Sequence, residues 1–268
     1  MKGINVMRIL VCIKQVPASS RVEVDPVTGV LKRDGADAKM NPYDLFALET
    51  AFSLREICGG EVTVLTMGPP QAQAIIREAY AMGADKGILL SDRAFAGADV
   101  LATAYAISCG AKSSGPYDLI LCGKQTTDGD TAQVGSEIAE VLGLPSLANV
   151  LSLAPDTDGA LAVTMDMGDS VLNASVKLPC LISVDKDICQ PRLPSYIKKK
   201  ATADREITVL GFSDLESADK NRCGLGGSPT QVGRIFPPEK NDSREMWEGS
   251  DAELADRMLK KLTEEKFI

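Results

Sequence analysis

Short apolar runs alternate with amphipathic stretches through the first half of the chain. Met7 to Lys14 (MRILVCIK), Glu61 to Met67 (EVTVLTM), Gly87 to Leu90 and Tyr117 to Cys122 (YDLILC) are almost continuous in Val, Ile and Leu. Strands covered by helices on both faces need that pattern, so these runs predict a parallel sheet. Between them, Asp44 to Ile57 sets Leu45, Leu48 and Phe52 on one stripe, and Pro70 to Met82 follows the second strand. Asp99 to Cys109 brings Leu101, Ala104, Tyr105 and Ser108 to one face, and Val134, Ile138, Val141 and Leu142 mark a further helix. Strand and helix in alternation predict an α/β domain with a parallel-core sheet flanked by helices.

After about residue 145 the pattern changes. Ala160 to Asp166 alternates, Gly168-Asp169 reads as a turn, and Ser170 to Lys177 completes a predicted antiparallel hairpin, with Cys180 to Asp185 as a further strand of the same sheet. Beyond residue 210 the chain is poor in strand signals and rich in Gly, Pro and charge, including Pro237 and Pro238, until a last helix predicted over Ser250 to Lys266. The expected organisation is therefore an α/β domain over 1–210, with the hairpin and a loop at 191–200, and a C-terminal arm and helix over 211–268. Leu254, Met258 and Leu262 give that helix an apolar stripe, which needs a neighbour in this domain or in another subunit. No internal repeat is present.

Composition removes whole classes of chemistry. With 268 residues, 44% hydrophobic and 25% charged, the chain has the make-up of a folded globular protein. Aromatics are scarce at 4%, and 29 Lys and Arg against 37 Asp and Glu leave a net charge of −8, so neither nucleic acid nor an anionic membrane is an expected partner. The absence of histidine excludes Ser-His-Asp and Cys-His catalysis and most zinc sites, which leaves carboxylates, cysteines, backbone amides or a bound cofactor to carry any chemistry. Seven cysteines without a CxxC pair read as reduced, mostly buried thiols of a cytoplasmic protein. No signal peptide is recognisable, and no run approaches the roughly 20 apolar residues that cross a bilayer, so no membrane insertion is expected.

The stretch Leu121 to Pro145, LCGKQTTDGDTAQVGSEIAEVLGLP, carries the most chemistry. A buried strand ends at Cys122, a polar loop follows, and a helix begins. Ligands of open α/β sheets sit beyond the carboxyl ends of strands, and free amides at a helix start hold phosphate oxygens. Asp130 is a candidate cap with Gln133 completing a capping-box-like pair, while Gly123 and Gly129 admit a close backbone approach. Polar glycine-containing loops also begin capped helices where nothing binds, so both readings stand on these residues alone. Neither a Walker A loop nor GxGxxG is present. Two more loops lie at strand ends: Val11 to Pro17, and Met40-Asn41-Pro42-Tyr43-Asp44, where Asn41 or Asp44 also suits a cap and Pro42 a first helical turn.

In combination these segments resemble the beta subunit of electron transfer flavoproteins over almost the whole chain. The matching motifs are LVCIKQVP, KMNPYDLFALETA, AMGADKGILL, GKQTTDGDTAQVGSEIAEVLG and PRLPSYIKKK. The resemblance implies a Rossmann-like fold of the adenine nucleotide alpha hydrolase kind, paired with an alpha subunit that carries its own FAD and against which the C-terminal arm packs. It places a nucleotide against Cys12, Asn41, Pro42, Tyr43, Asp44 and Met67, and against Gly123, Lys124, Gln125, Thr126, Thr127, Asp128, Gly129, Asp130, Thr131, Ala132, Gln133 and Val134.

Two branches of that family differ in this ligand, which is AMP in simple electron shuttles and a second FAD in electron-bifurcating members. Asp128 to Gly135 (DGDTAQVG) resembles the bifurcating form, although Ser136 stands where bifurcating relatives commonly have proline. The implied function is hydride exchange between FAD and NAD(H), with single electrons passing to ferredoxin or flavodoxin and to the alpha-subunit FAD. The alpha-subunit flavin then serves a flavin-dependent dehydrogenase of lactate or acyl-CoA type. The alternative is an AMP-binding, one-flavin shuttle, and outside the family a stand-alone adenine-nucleotide sensor. Flavin would supply the redox chemistry that a histidine-free protein lacks. Pro191 to Lys200 corresponds to a recognition loop, implying docking by Leu193 with Pro194, Tyr196 and Lys198; its bland counterpart is a solvated basic loop.

Overall fold

The order of the strands, more than their number, decides where a ligand can sit. The computed structural model describes residues 6–18, 38–233 and 243–268. Among these, β1 (Met7–Cys12), β4 (Gly60–Met67), β5 (Lys86–Leu90), β6 (Leu119–Gly123), β7 (Ser146–Pro155), β8 (Ala160–Asp166), β9 (Val171–Lys177), β10 (Cys180–Val184) and β11 (Thr208–Leu210) form one nine-stranded sheet. Its order is β11-β5-β4-β1-β6-β10-β7-β8-β9. Pairing is parallel from β11 to β7 and antiparallel across β7, β8 and β9. A separate ribbon pairs β2 (Gln15–Pro17) with β3 (Ala38–Met40).

From β1 the chain builds outward on one side through β4 and β5, then returns to place β6 on the other side. The order therefore reverses between β1 and β6, where the connections diverge and leave a crevice beyond the strands' carboxyl ends. Helices α1 (Pro42–Cys58) and α2 (Gln73–Met82) cover one face. Leu48, Phe52, Ile76 and Tyr80 pack there on Ile9, Val11 and Val64, all buried. On the other face, α3 (Val100–Ser114) and α4 (Val134–Leu142) lay Ala106, Ile107 and Ile138 on Leu10, Leu65 and Ile120. Alternate residues of β1 feed the two cores, which is why its sequence is continuously apolar.

The structure adds to the expected organisation in three places. Ser146–Pro155 is a strand, β7, with no clear sequence signal: Asn149 has φ 55° and the ladder is irregular near Val150, so its alternation is broken. Cys180–Val184 joins the same sheet as expected, and its place there is between β6 and β7 as a fully buried parallel strand. The chain after 210 is not all arm, because Leu215 and Cys223 are buried and the Phe212 ring packs at 6.4 Å on Phe95. Residues 1–5, 19–37 and 234–242 of the expected regions, with Pro237 and Pro238, lie outside the described residues.

Asp99 fastens this returning segment to the domain. As N-cap of α3, its Oδ1 accepts from the Ala102 amide at 3.0 Å, while Oδ2 accepts from the amide and hydroxyl of Thr230 at 3.0 and 2.7 Å. Its own amide donates to Ser228 Oγ at 2.8 Å. Asp99→Ala is expected to cost about 1–2 kcal/mol, the usual worth of a cap, and to expose the chain near Thr230 to limited proteolysis. Unchanged cleavage and melting temperature would refute that role. The last helix, α6 (Asp251–Glu264), starts at a Ser250 whose amide donates to Glu253 at 2.9 Å, and none of its residues is buried. No helix among the described residues is long and apolar enough to cross a membrane.

Candidate functional site

Asn41 stands at the switch point, at the join of β3 and α1, and is fully buried. It occupies the N-cap position with Pro42 at the first helical turn, yet its side chain caps nothing. Asn41 Nδ2 donates instead to Asp44 Oδ1 at 2.9 Å and to the Gln125 carbonyl at 2.9 Å, and its Oδ1 accepts from the Thr127 amide at 3.3 Å. One side chain thus ties the start of α1 to the loop after β6, across 84 residues of sequence. The Asn41 amide donates to the Lys14 carbonyl at 2.9 Å, which brings in the segment after β1.

Asp44 completes the junction. Its Oδ2 accepts from the Lys14 amide at 2.7 Å, and burial pushes its carboxyl up to about 7 against the Asn41 amide and the backbone donors. Above it the Lys14 ammonium meets Asp128 Oδ1 at 2.7 Å. Burial raises Asp128, but the pairing with Lys14 outweighs it and leaves the carboxyl below its ordinary value. Gly123 sits flush against this cluster: a Cβ there would lie 2.6 Å from Asp44 Oδ1 and 2.7 Å from the Tyr43 carbonyl carbon, so only glycine lets β6 turn here.

Lys124 leaves β6 toward the other side and pairs with Asp185 Oδ2 at 2.9 Å, while Gln125 Nε2 donates to the Tyr43 hydroxyl at 3.3 Å. Cys12 and Cys122 are register partners on β1 and β6. The Cys12 thiol, burial and Asp44 together hold Cys122 well above the ordinary thiol range, so it is a neutral part of the floor. All seven cysteines are unpaired, and among the described residues no three metal-ligating side chains gather.

Of the residues expected in the site, Cys12, Asn41 to Asp44 and Gly123 to Asp128 converge. Met67 ends β4 on the same edge of the sheet. Thr127 to Gln133 are exposed along the rim. The expected capping pair is not formed: α4 begins at Val134 with Gln133 in the N-cap position and no side-chain cap. Asp130 and Ala132 have φ of 53° and 55°, so the backbone reverses twice before the helix and carries Asp130 away from its first amides. Those amides are left for another acceptor.

Two residues of this region were missed by sequence reasoning. Thr66, beside Met67, is fully buried, and its hydroxyl has no hydrogen-bond partner among the described residues. Asp185, just past the end of β10, holds Lys124; a lone aspartate after an apolar run gives no sequence signal. The residues expected in docking lie apart from this cluster, beside α1 and the end of α2, with Leu193 87% exposed.

Comparison with known proteins shows the family. A family model described as Electron transfer flavoprotein domain matches residues 28–215. An Electron transfer flavoprotein subunit beta of Thermoanaerobacterium thermosaccharolyticum is 44% identical over 264 residues, covering 98% of this chain and all of the relative. Caffeyl-CoA reductase-Etf complex subunit CarD of Acetobacterium woodii is 42% identical over 264 residues, again covering 98% of this chain and the whole relative. Protein FixA of Azorhizobium caulinodans is 42% identical over 260 residues, which cover 94% of this chain and 92% of the relative.

Proposed function

We propose, because this chain belongs to the electron transfer flavoprotein family as a beta subunit, that it is the FAD-binding half of an electron-bifurcating or confurcating heterodimer. When bound, FAD would supply two-electron exchange with NAD(H) and one-electron delivery to ferredoxin or flavodoxin and to the alpha-subunit FAD. The observation that carries the reading is the Asn41 junction, which locks three loops into one wall at the sheet's switch point. The residues fit a dinucleotide. Uncapped α4 amides are available for a phosphate oxygen, beside the exposed rim of Thr127 to Gln133. The Asp128 to Gly135 motif favours FAD over AMP.

Lys14 and Asp128 hold the loop in place by pairing with each other, and Lys124 is likewise neutralised by Asp185, so this part of the wall carries little net charge. Binding then rests on backbone donors and shape more than on free cations. The exposed α6, with its apolar stripe, is assigned to packing on the alpha subunit. Leu193, Pro194 and Tyr196 are assigned to docking with a dehydrogenase, of acyl-CoA or lactate type; a caffeyl-CoA reductase complex among the relatives favours the former.

Cofactor stoichiometry tests this directly. The chain is co-expressed with its alpha subunit, the heterodimer is purified without oxygen, and FAD and AMP are released and counted. Two FAD, no AMP and bleaching by NADH are expected. One FAD with one AMP would overturn the bifurcating reading and leave a one-flavin shuttle, and a stable lone monomer would point to a nucleotide sensor.

A further inference from the structure

The segment from Pro191 to Lys200 is fastened at both ends. At one end Arg192 lies along α1, with Nε 2.7 Å from Glu49 Oε2, Nη2 2.8 Å from Glu49 Oε1 and Nη1 2.9 Å from Glu56 Oε1. The Arg192 amide also donates to Glu49 Oε2 at 2.9 Å, and its guanidinium lies 5.1 Å from the centre of the buried Phe52 ring. Burial raises the Glu49 carboxyl, but Arg192 outweighs it and keeps the group charged. At the other end the Ser195 amide donates to the Ala81 carbonyl at 2.9 Å, and the Lys198 ammonium reaches the Met82 carbonyl at 3.2 Å, both at the end of α2.

What lies between and just after these pins is apolar and bare. Leu193 is 87% exposed, and Tyr196 and Ile197 are each 79% exposed. Ile197 has no counterpart in the sequence-based assignment. Lys198, expected to meet a partner, is turned back onto α2, whereas Lys199 and Lys200 are exposed beside the apolar group.

We propose that Arg192, Ser195 and Lys198 are positioning residues that present Leu193, Tyr196 and Ile197 as one preformed knob. The knob fits an apolar pocket rimmed by carboxylates on the electron-exchanging dehydrogenase. This rests on the docking role assigned to the segment above, and it adds the clamp and the second anchor Ile197. An arch held in its bound shape has met its ordering cost on folding, so burying the knob is not spent on immobilising a loop. A bidentate guanidinium fork stacked on a ring is also a role that lysine cannot copy. The lysines at the rim add a salt-sensitive encounter rate.

Hydrogen exchange on the alpha–beta heterodimer tests the clamp without any partner. The Arg192 and Ser195 amides are expected to be protected, and to exchange at least tenfold faster in Arg192→Gln, with Arg192→Lys recovering only part of the protection. Flavin content and visible spectrum stay as in the parent. Unprotected amides in the parent, or unchanged exchange in the variant, would overturn the clamp. With a flavin-containing butyryl-CoA dehydrogenase as probe, Arg192→Gln and Ile197→Ala are each expected to raise KM for that protein about tenfold at unchanged kcat. If Leu193→Ala raises KM and Arg192→Gln does not, the positioning role falls alone. If Leu193→Ala leaves KM unchanged, the docking reading itself falls, and the knob with it.

Discussion

Asn41→Ala is expected to empty the beta-subunit nucleotide site while leaving the alpha-subunit flavin in place. The substitution removes one buried amide and leaves Asp44 Oδ1, the Gln125 carbonyl and the Thr127 amide without their partner. A buried polar group stripped of its hydrogen bond costs about 1–3 kcal/mol, and some of the three groups will find water once the loop opens. A net loss on the order of 3 kcal/mol in closing the 123–128 loop corresponds to roughly a hundredfold weaker retention. The measurement is nucleotide content of the heterodimer after gel filtration, with the alpha-subunit flavin as internal standard for folding. Full retention would show that the three loops close without Asn41. Asn41→Asp should fail equally: it keeps the shape but puts an oxygen where the Asp44 carboxyl and the Gln125 carbonyl both need a donor.

Features written into short stretches of chain were legible in the sequence. The apolar runs ending at Cys12, Met67, Leu90 and Cys122 are parallel strands because burial on both faces demands continuous Val, Ile and Leu. The hairpin was readable from its alternation and from the Gly168 turn, where that amide bonds Asp166 Oδ1 at 2.8 Å. What escaped depends on contacts distant in sequence. Nothing local in Cys180–Val184 says that it slides between β6 and β7, and the broken alternation of Ser146–Pro155 hides a strand that owes its place to β10 and β8.

The site follows the same division. The loops after β1, β3 and β6 were candidates from their position at strand ends and the structure brings them together, yet the roles within them were assigned locally. Asp130 looked like a cap but lies in a left-handed turn, and Asn41 looked like a cap but bonds the loop after β6. Ser/Thr/Asp/Asn before a helix is a capping signal only when tertiary partners do not compete for the side chain.

The thermal stability of the heterodimer is expected to fall as pH rises from 5.5 to 8, through Asp44. Burial raises this carboxyl from 3.8 in the unfolded chain to about 7 in the fold. Between those values the folded protein keeps a proton that the unfolded chain has released. This contribution to stability is full below pH 4 and is lost as pH climbs through 7. Asp99, Asp128, Asp185 and Glu49 are shifted the other way, so their contributions are lost as pH falls through the acid range and are already complete by pH 5.5. Burial also raises Glu78 and Glu137, which act in the same direction, so Asp44's share is the part of the slope that Asp44→Asn removes, about 2 kcal/mol or roughly 5 °C in Tm. Asp44→Asn should flatten this slope. Its absolute Tm should also drop at pH 5.5, because an amide hydrogen then faces the Lys14 N–H where a carboxyl oxygen had accepted it. The comparison to make is Tm against pH for parent and variant with equal cofactor content. A parent profile flat over this interval, or the same slope in both proteins, would mean that the three donors around Asp44 keep it ionised and that the loop junction is charged at every physiological pH.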